Sequence, residues 1–156
     1  MMTPEKKGPK QIIVFTIANE QLALDIGCVR EVLRPQEVYS LPDGPEWIEG
    51  LINLRGRIIA LIDLRKRLHK KSIGDSRKRI IICKVNRFVF GVTVDHLKEI
   101  IALPEENIEP VPKVAALQMS SDLVASLAKI GERIIPILDL EHLITKKEVD
   151  ELLELR

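Results

Sequence analysis

The chain has 156 residues and a formal net charge of +1, which leaves room for one domain or two small lobes and gives no overall reason to expect a polyanionic partner. Aromatic residues make up only 3% of the composition, so the core must consist of isoleucine, leucine and valine, and the β-branched members of that set favour strands. No apolar run approaches the roughly 20 residues of a membrane-spanning helix. The N-terminus also lacks the apolar segment of a signal peptide.

The first half of the chain predicts short strands after a polar tail. Residues 1–10 contain Pro4, Gly8 and Pro9 and are predicted to be disordered. Five strands follow, at residues 11–17, 21–26, 38–41, 50–54 and 57–62. Ala18-Asn19-Glu20 is predicted as a hairpin turn, and residues 28–33 fit either a helical turn or the start of a strand. Asp63 is placed to cap a helical turn over residues 64–68.

The second half replays this order after a polar, basic linker at residues 70–79. Its strands are predicted at residues 80–85, 88–94, 99–103, 127–130 and 133–138, with a turn at 95–98. The proline-rich segment 104–112 is predicted as an edge or loop. A helical turn is expected from Ser120-Ser121-Asp122, Asp139 repeats the cap of Asp63, and Thr145-x-x-Glu148 opens a C-terminal helix with an apolar stripe (Val149, Leu152, Leu153 and Leu155).

Two internal matches indicate a duplication. IIALIDL at 58–64 returns as IIPILDL at 134–140, and residues 12–33 lie over residues 80–101 with Glu31 on Glu99. The predicted organisation is therefore a tail (1–10), a first barrel (about 11–69), a linker (70–79), a second barrel (about 80–145) and a C-terminal helix (146–156). Short strands without long intervening helices favour barrels over a parallel α/β sheet.

The residue types that carry catalysis or bind metals are sparse. His69, His96 and His142 have no cysteine or carboxylate partners at metal-ligand spacing, and neither a phosphate-binding glycine loop nor a Gly-x-Ser-x-Gly motif is present. Cys28 and Cys83 stand apart within apolar stretches, which is typical of buried thiols in a reducing cytosol. Asp63 and Asp139 could form a carboxylate pair, but helix capping accounts for both. We expect no catalytic residue, no metal ligand, no cofactor and no enzymatic activity.

A basic segment offers an alternative function. The run 65–71, together with residues 77–79, could contact nucleic acid phosphates. No aromatic residue is interleaved to stack on bases, so a solvated hinge is the other interpretation. A tandem β-barrel that binds nucleic acid through residues 65–79 stays open as the alternative.

Arg55 distinguishes the first half from the second. It lies beside Gly56 between two predicted strands, but its counterpart in the second half is Gly131. The barrel therefore does not require an arginine there, which fits either a binding role for Arg55 or sequence drift. Glu31, which is matched by Glu99, fits a structural role shared by both halves.

Four segments resemble the chemotaxis coupling protein (CheW) family. They are DIGCVREVL (25–33), EWIEGLINLRGRIIALIDLRKRL (46–68), GVTVDHLKEI (91–100) and GERIIPILDLEHLI (131–144). The similarity extends from about residue 11 to 144, and INLRG followed by IDLR is its most specific part. The resemblance implies a mainly β fold of two intertwined SH3-like five-stranded β-barrels with short helical turns and a C-terminal helix.

The resemblance also implies a function. The family's members are non-enzymatic cytoplasmic adaptors that link methyl-accepting chemoreceptor tips to the regulatory domain of the CheA histidine kinase. The chain is then expected to be a monomer in isolation and to join membrane-associated receptor arrays, without inserting into the membrane or binding nucleic acid.

The resemblance also implies, position by position, which residues bind the receptor and which face the kinase. The receptor-binding set is Val29, Glu31, Val32, Asn53, Leu54 and Arg55, with Gly50 and Gly56 as structural support of the groove. The kinase-facing set is Val38, Leu41, Ile108, Pro110 and Pro112. The chain departs from the family pattern where Ala60 replaces a proline, Ser126 and Ala128 replace glycines, and Glu132 replaces an aspartate. These departures concern the partner geometry of the second half more than the receptor groove.

Overall fold

The computed structural model describes residues 9–68, 78–112 and 123–143 and contains two β-sheets. The strands of the first unit are β1 (Lys10–Ile17), β2 (Glu20–Asp25), β3 (Val29–Leu33), β4 (Ile48–Leu54) and β5 (Arg57–Asp63). Those of the second unit are β6 (Arg79–Val85), β7 (Phe88–Val94), β8 (His96–Leu103), β9 (Ile108–Glu109), β10 (Val124–Ile130) and β11 (Arg133–Leu138). Short helices are α1 (Leu64–Arg67) and α2 (Leu140–Leu143), with 3₁₀ turns at Ile26–Cys28 and Glu105–Asn107.

Each sheet takes strands from both units. The five-stranded sheet, here called the first barrel, has the order β3-β6-β7-β5-β4, and the six-stranded sheet, the second barrel, has the order β8-β1-β2-β11-β10-β9. The hairpin β1–β2 therefore completes the barrel of the second unit, and β6–β7 completes that of the first. Parallel contacts join each borrowed hairpin to its host, β5 to β7 and β11 to β2.

This exchange corrects the predicted boundaries, because barrels at about 11–69 and 80–145 would each have used contiguous sequence. The repeat shows which strands are equivalent, but equivalent hairpins offer the same apolar faces to either barrel. The pattern alone does not say which of the two copies pairs with β3 or with β8. The prediction of two intertwined, mainly β barrels is confirmed.

The exchanged hairpins are buried on both faces. In β1, Ile12 and Val14 face the second-barrel core whereas Ile13 faces a central core between the sheets. In β6, Ile80 faces the first-barrel core and Ile81 the central one. The continuous apolar runs of these strands are explained by this two-sided burial. The central core lies mainly between the two hairpins and the ends of β5 and β11.

The tight turns follow the local sequence. Ala18 and Asn19 both have positive φ, at 50° and 67°, and so do Arg55 and Gly56, at 50° and 86°. Two consecutive positive φ values are the geometry that matches the twist of a two-residue hairpin. The predicted hairpins on either side of these turns are confirmed.

Two predicted elements are wrong in detail. Residues 38–41 form no full strand; Tyr39 makes a single bridge to Leu51 on the outer edge of β4. The predicted turn at 95–98 is confined to Asp95, and β8 begins at His96 because β1 already pairs with it from Thr16 onward. The ambiguous segment 28–33 combines the end of a 3₁₀ turn with β3.

Several predictions concern residues outside the described ranges. These are most of the tail 1–10 and of the linker 70–79, His69, the turn at 120–122, and the helix 146–156 with its capping box at Thr145. Within the described residues, no helix is long and apolar enough to cross a membrane.

Burial on both faces of β6 leads to a test by substitution at two adjacent positions. Ile80 and Ile81 are 2% and 0% exposed, and we expect each alanine variant to lower the free energy of unfolding by about 2–5 kcal/mol. Ile134, which is 62% exposed in a strand, is the control, and Ile134→Ala should cost less than about 1 kcal/mol. Urea denaturation provides the measurement. If β6 had one solvated face, one of the two alanine variants would lower the free energy of unfolding only slightly.

Candidate functional site

An exposed ion pair joins the two outer strands of the first barrel. Arg55 Nη2 donates to Glu31 Oε2 at 2.5 Å, and we call this contact the first clasp. Glu31 lies on β3, at one end of the strand order, and Arg55 lies in the turn after β4, at the other end. The first clasp therefore connects the two ends of the sheet at the mouth of the barrel. The side chain of Arg55 stays 68% exposed, which leaves most of its guanidinium accessible to a partner.

The turn that presents Arg55 is held by its neighbours. The Asn53 amide oxygen accepts from Gly56 N at 2.9 Å and closes the turn from its own strand. Gly56 has φ 86°, which a side chain at that position would disfavour. The predicted support role of Gly56 thus has a backbone reason, and Asn53 acts on the turn itself.

The first clasp also sets the charge of its members. The hydrogen bond from Arg55 lowers the pKa of Glu31, and the same bond raises the pKa of Arg55. Both charged forms are therefore favoured at neutral pH. Since the pKa of Glu31 is depressed in the folded state, the stabilisation is present above its unfolded pKa and is lost as pH falls through the folded one.

Gly50 permits the close approach of a neighbouring segment. A Cβ there would lie 2.5 Å from Tyr39 O and 2.7 Å from Val38 Cγ1, so no side chain fits. The space is used by two backbone hydrogen bonds of 2.8 Å between Tyr39 and Leu51. Gly50 supports the covering of the outer edge of β4.

A second clasp, which the sequence reasoning missed, lies on the second barrel. Arg133 Nη2 donates to Glu99 Oε1 at 3.2 Å and to Gln21 Oε1 at 2.8 Å. It joins β11, β8 and the borrowed strand β2. The available signal was the repeat itself, because Glu99 matches Glu31 and Arg133 matches Arg57 in the internal alignment.

The structure sorts the predicted receptor-binding residues into different roles. Glu31 and Arg55 form the first clasp, and Asn53 supports its turn. Val29 packs against the central core and Leu54 against the first-barrel core, so both are partly buried. Val32 is 36% exposed beside Glu31. The exposed members of the set are therefore Val32, Asn53 and Arg55, while Glu31 is half-buried.

The predicted kinase-facing residues divide between two equivalent edges. Val38 packs on the first-barrel core, and Leu41 is partly buried in the same segment. Ile108 belongs to β9, which pairs with the outer edge of β10, and Pro110 and Pro112 follow it as exposed residues. The two groups occupy corresponding positions on different barrels.

Polar groups proposed for other roles have structural explanations. Asp63 Oδ1 accepts from Arg65 N at 3.0 Å, and Asp139 Oδ1 accepts from Glu141 N at 3.0 Å, which confirms both as helix caps. His142 Nδ1 lies 2.6 Å from Asp139 Oδ2. In residues 9–68, 78–112 and 123–143, no three histidine, cysteine or acidic side chains are placed to hold a metal ion.

Two arginines of the basic run contact the body of the protein. Arg65 is 9% exposed, and its Nε lies 3.7 Å from both Asp63 Oδ1 and Asp95 Oδ1. The Arg67 guanidinium lies over the Trp47 ring, 5.2 Å from its centroid. These side chains serve the junction between α1 and the sheets, and no observation supports nucleic acid binding. Residues 69–77 of the run are outside the described ranges.

Comparison with known proteins identifies a family and its relatives. The family model for the CheW-like domain matches residues 11–148. A probable chemotaxis protein CheW of Rhizobium etli is 32% identical over 147 residues, 91% of this chain and 92% of that protein. The chemotaxis protein CheW of Bacillus subtilis is 31% identical over 149 residues, 94% of each. The crystal structure of the scaffolding protein TtCheW from Thermoanaerobacter tengcongensis superposes with a TM-score of 0.82 at 39% identity, covering 90% of this chain and 95% of that one.

The first clasp predicts a specific titration behaviour. In the variant Arg55→Gln, the pKa of Glu31 should rise toward its ordinary value, because the hydrogen bond that lowers it is lost. Carboxyl-detected NMR titration of Glu31 measures this directly. Arg57→Gln is the matched control two residues away, and it should leave the pKa of Glu31 unchanged. Equal shifts in both variants would show that general surface charge, rather than the clasp, sets this pKa.

Proposed function

The chain belongs to the CheW-like domain family and is a scaffold of chemotaxis-type signalling, and from this premise we propose that it couples chemoreceptor cytoplasmic tips to the regulatory domain of a CheA-type histidine kinase. The proposed role is that of an adaptor without catalytic activity, in the cytoplasm and recruited to receptor arrays through its partners. The observation that carries the receptor-binding assignment is the first clasp. In it an exposed arginine is held by a glutamate on the strand at the other end of the sheet.

The geometry of Arg55 fits recognition of a helix. A guanidinium has five N–H donors, and the contact with Glu31 fixes its direction while leaving donors for a partner's carbonyl or carboxylate groups. Val32, the residue after Glu31 on β3, adds exposed apolar surface to the same strand. An amphipathic helix that docks an apolar stripe here could be oriented by Arg55.

The second partner is assigned to the barrel edges. The segment around Tyr39 and the short strand β9 lie on the outer edges of β4 and β10, where another domain of the same fold can add contacts. Pro110 and Pro112 follow β9 and limit further strand pairing, because proline lacks the backbone donor. Such an edge favours a small, specific interface and disfavours continued pairing with further strands.

Coupling requires that both partners be held by one rigid body. Two sites on one body raise the effective concentration of each partner for the other, even when single contacts are weak. Control of the kinase further requires that the bound receptor favour one kinase state by a difference in binding free energy. The shared central core supplies the rigid connection between the two barrels.

We expect Arg55→Glu to weaken association with a soluble receptor signalling-tip fragment by at least tenfold. The substitution removes the donor and places two like charges where the first clasp was. Isothermal titration calorimetry measures the affinity, and circular dichroism on the same samples measures folding.

Arg87→Glu is the matched control for this variant. Arg87 is also an exposed arginine in a two-residue turn, between β6 and β7, but it lies outside the proposed site. It should bind the fragment like the parent protein. Undiminished binding by Arg55→Glu, with the fold intact, would contradict the receptor-binding assignment.

A separate prediction concerns the kinase. The chain should form a complex with the isolated kinase regulatory domain in the absence of receptor, because the barrel edges are distinct from the first clasp. Size-exclusion chromatography at tens of micromolar measures the complex. Pro110→Asp should reduce it, since a charge would enter the interface at an exposed position, whereas Arg55→Glu should not. If Arg55→Glu reduced the kinase complex and Pro110→Asp did not, the kinase would bind at the first clasp instead of the barrel edge.

A further inference from the structure

A threonine hydroxyl is buried at one end of the second barrel without a hydrogen-bond partner. Thr16 of β1 is 5% exposed, and its Oγ1 makes no hydrogen bond with any residue that the structure describes. A hydroxyl removed from water without a new partner destabilises the folded state, so most buried hydroxyls bond either to the protein or to an ordered water molecule. The surroundings of Thr16 indicate which kind of partner it has.

Thr16 points to the inside of the second barrel. Val14 belongs to the second-barrel core, whereas Phe15 and Ile17 belong to the central core. Because side chains alternate along a strand, Thr16 lies on the same face as Val14. It is also nearer to the β1–β2 turn than Val14, so its hydroxyl lies where the apolar interior of the barrel ends.

Polar side chains flank Thr16 on this face. Gln21 of β2 is directly opposite Thr16 on one side, and His96 of β8 is opposite it on the other. Directly opposite residues of an antiparallel pair project to the same face of the sheet. Thr16 is therefore the middle residue of a polar row that crosses three neighbouring strands.

The second clasp fixes the orientation of the Gln21 amide. Arg133 Nη2 donates to Gln21 Oε1 at 2.8 Å. A guanidinium has donors and no acceptor, so the amide atom that faces Arg133 must be the oxygen. The amide nitrogen of Gln21 keeps two N–H donors, and within the described residues neither is used by a side-chain hydrogen bond. An unpaired hydroxyl and an unpaired amide nitrogen thus belong to directly opposite residues.

We propose that this end of the second barrel binds one ordered water molecule, which accepts from the Gln21 amide nitrogen and forms a hydrogen bond with Thr16 Oγ1. Opposite residues of an antiparallel pair have Cβ atoms about 4.5–5.5 Å apart, and a water can bridge polar groups that do not touch directly. The water satisfies the buried hydroxyl and holds the amide that receives Arg133. It therefore supports the second clasp from inside the barrel. This inference does not depend on receptor or kinase binding.

The first barrel lacks the two groups that form this site. The counterparts of Thr16 and Gln21 in the internal alignment are Lys84 and Val89. Lys84 is exposed and is hydrated by bulk solvent, and the side chain of Val89 has no polar atom. The proposed water is therefore a feature of one copy of the duplicated unit.

A high-resolution crystal structure of the full chain tests the site directly. Water density should lie about 2.7–3.2 Å from both Thr16 Oγ1 and the Gln21 amide nitrogen. The density should persist in Thr16→Ser, which keeps the hydroxyl, and should be absent in Thr16→Val, which has the same shape without it. A direct bond from the hydroxyl to a protein group, or the absence of water density in the parent protein, would overturn the proposal.

Urea denaturation of Thr16→Val distinguishes a bound water from a dry hydroxyl in solution. If the hydroxyl holds a water, valine leaves the water and the Gln21 amide without a partner, and the midpoint of unfolding should fall. If the hydroxyl is dry, valine removes an unsatisfied polar group, and the midpoint should rise. A rise would therefore overturn the proposal even where the crystals contain a nearby water.

Thr93→Val is the matched control for this measurement. Thr93 is a buried threonine of the other exchanged hairpin, 8% exposed, and its Oγ1 donates directly to Glu49 Oε2 at 2.6 Å. Its replacement by valine should lower the midpoint, because Glu49 loses a donor. A fall in both variants, together with the water density at Thr16, supports the proposal, whereas a fall in Thr93→Val alone with a rise in Thr16→Val shows a dry hydroxyl.

Discussion

The two units are bound together by hairpins that each bury both faces. Ile12 and Ile13 of β1 point into different cores, as do Ile80 and Ile81 of β6. Neither unit can close its own barrel without the hairpin of the other, so separating them would expose a barrel interior and the central core together. Apolar burial of this extent makes the two barrels one cooperative body. An adaptor that must hold two proteins in a fixed relation requires such a connection.

Buried charges reinforce the same junction with directional contacts. Asp95, at the end of β7, is 3% exposed and accepts from Ala18 N at 2.7 Å. It shares Arg65 with Asp63, so groups of both units meet in one place. A buried charged cluster adds little net stability but is costly to leave unpaired. It therefore disfavours any alternative packing that would separate the β1–β2 turn from α1.

The sequence predicted local structure well and the pairing of distant parts less well. Alternation and turn residues located the hairpin strands, and both aspartate caps are where the repeat placed them. The resemblance implied intertwined barrels, but which hairpin completes which barrel escaped prediction because the copies present the same apolar pattern to either barrel. The first clasp escaped it because Glu31 and Arg55 are 24 residues apart and meet only when the barrel closes. The exposure of Ile58 was equally hidden, since its neighbour Ile59 in the same apolar run is buried.

Comparison of the two clasps shows how one copy of a duplicated unit can change its surface without changing its fold. The first unit has an ion pair between β3 and the β4–β5 hairpin, and the second unit has one between β8 and the β10–β11 hairpin. The two arginines come from positions that are not equivalent in the repeat. One arginine is enough to hold the two ends of the five-stranded sheet together, so a second arginine nearby is not required to close the barrel. In the first unit that second arginine is Arg57, which is exposed and forms no ion pair with any described residue. Redundancy at a structural contact thus creates surface charge that selection for a partner can use.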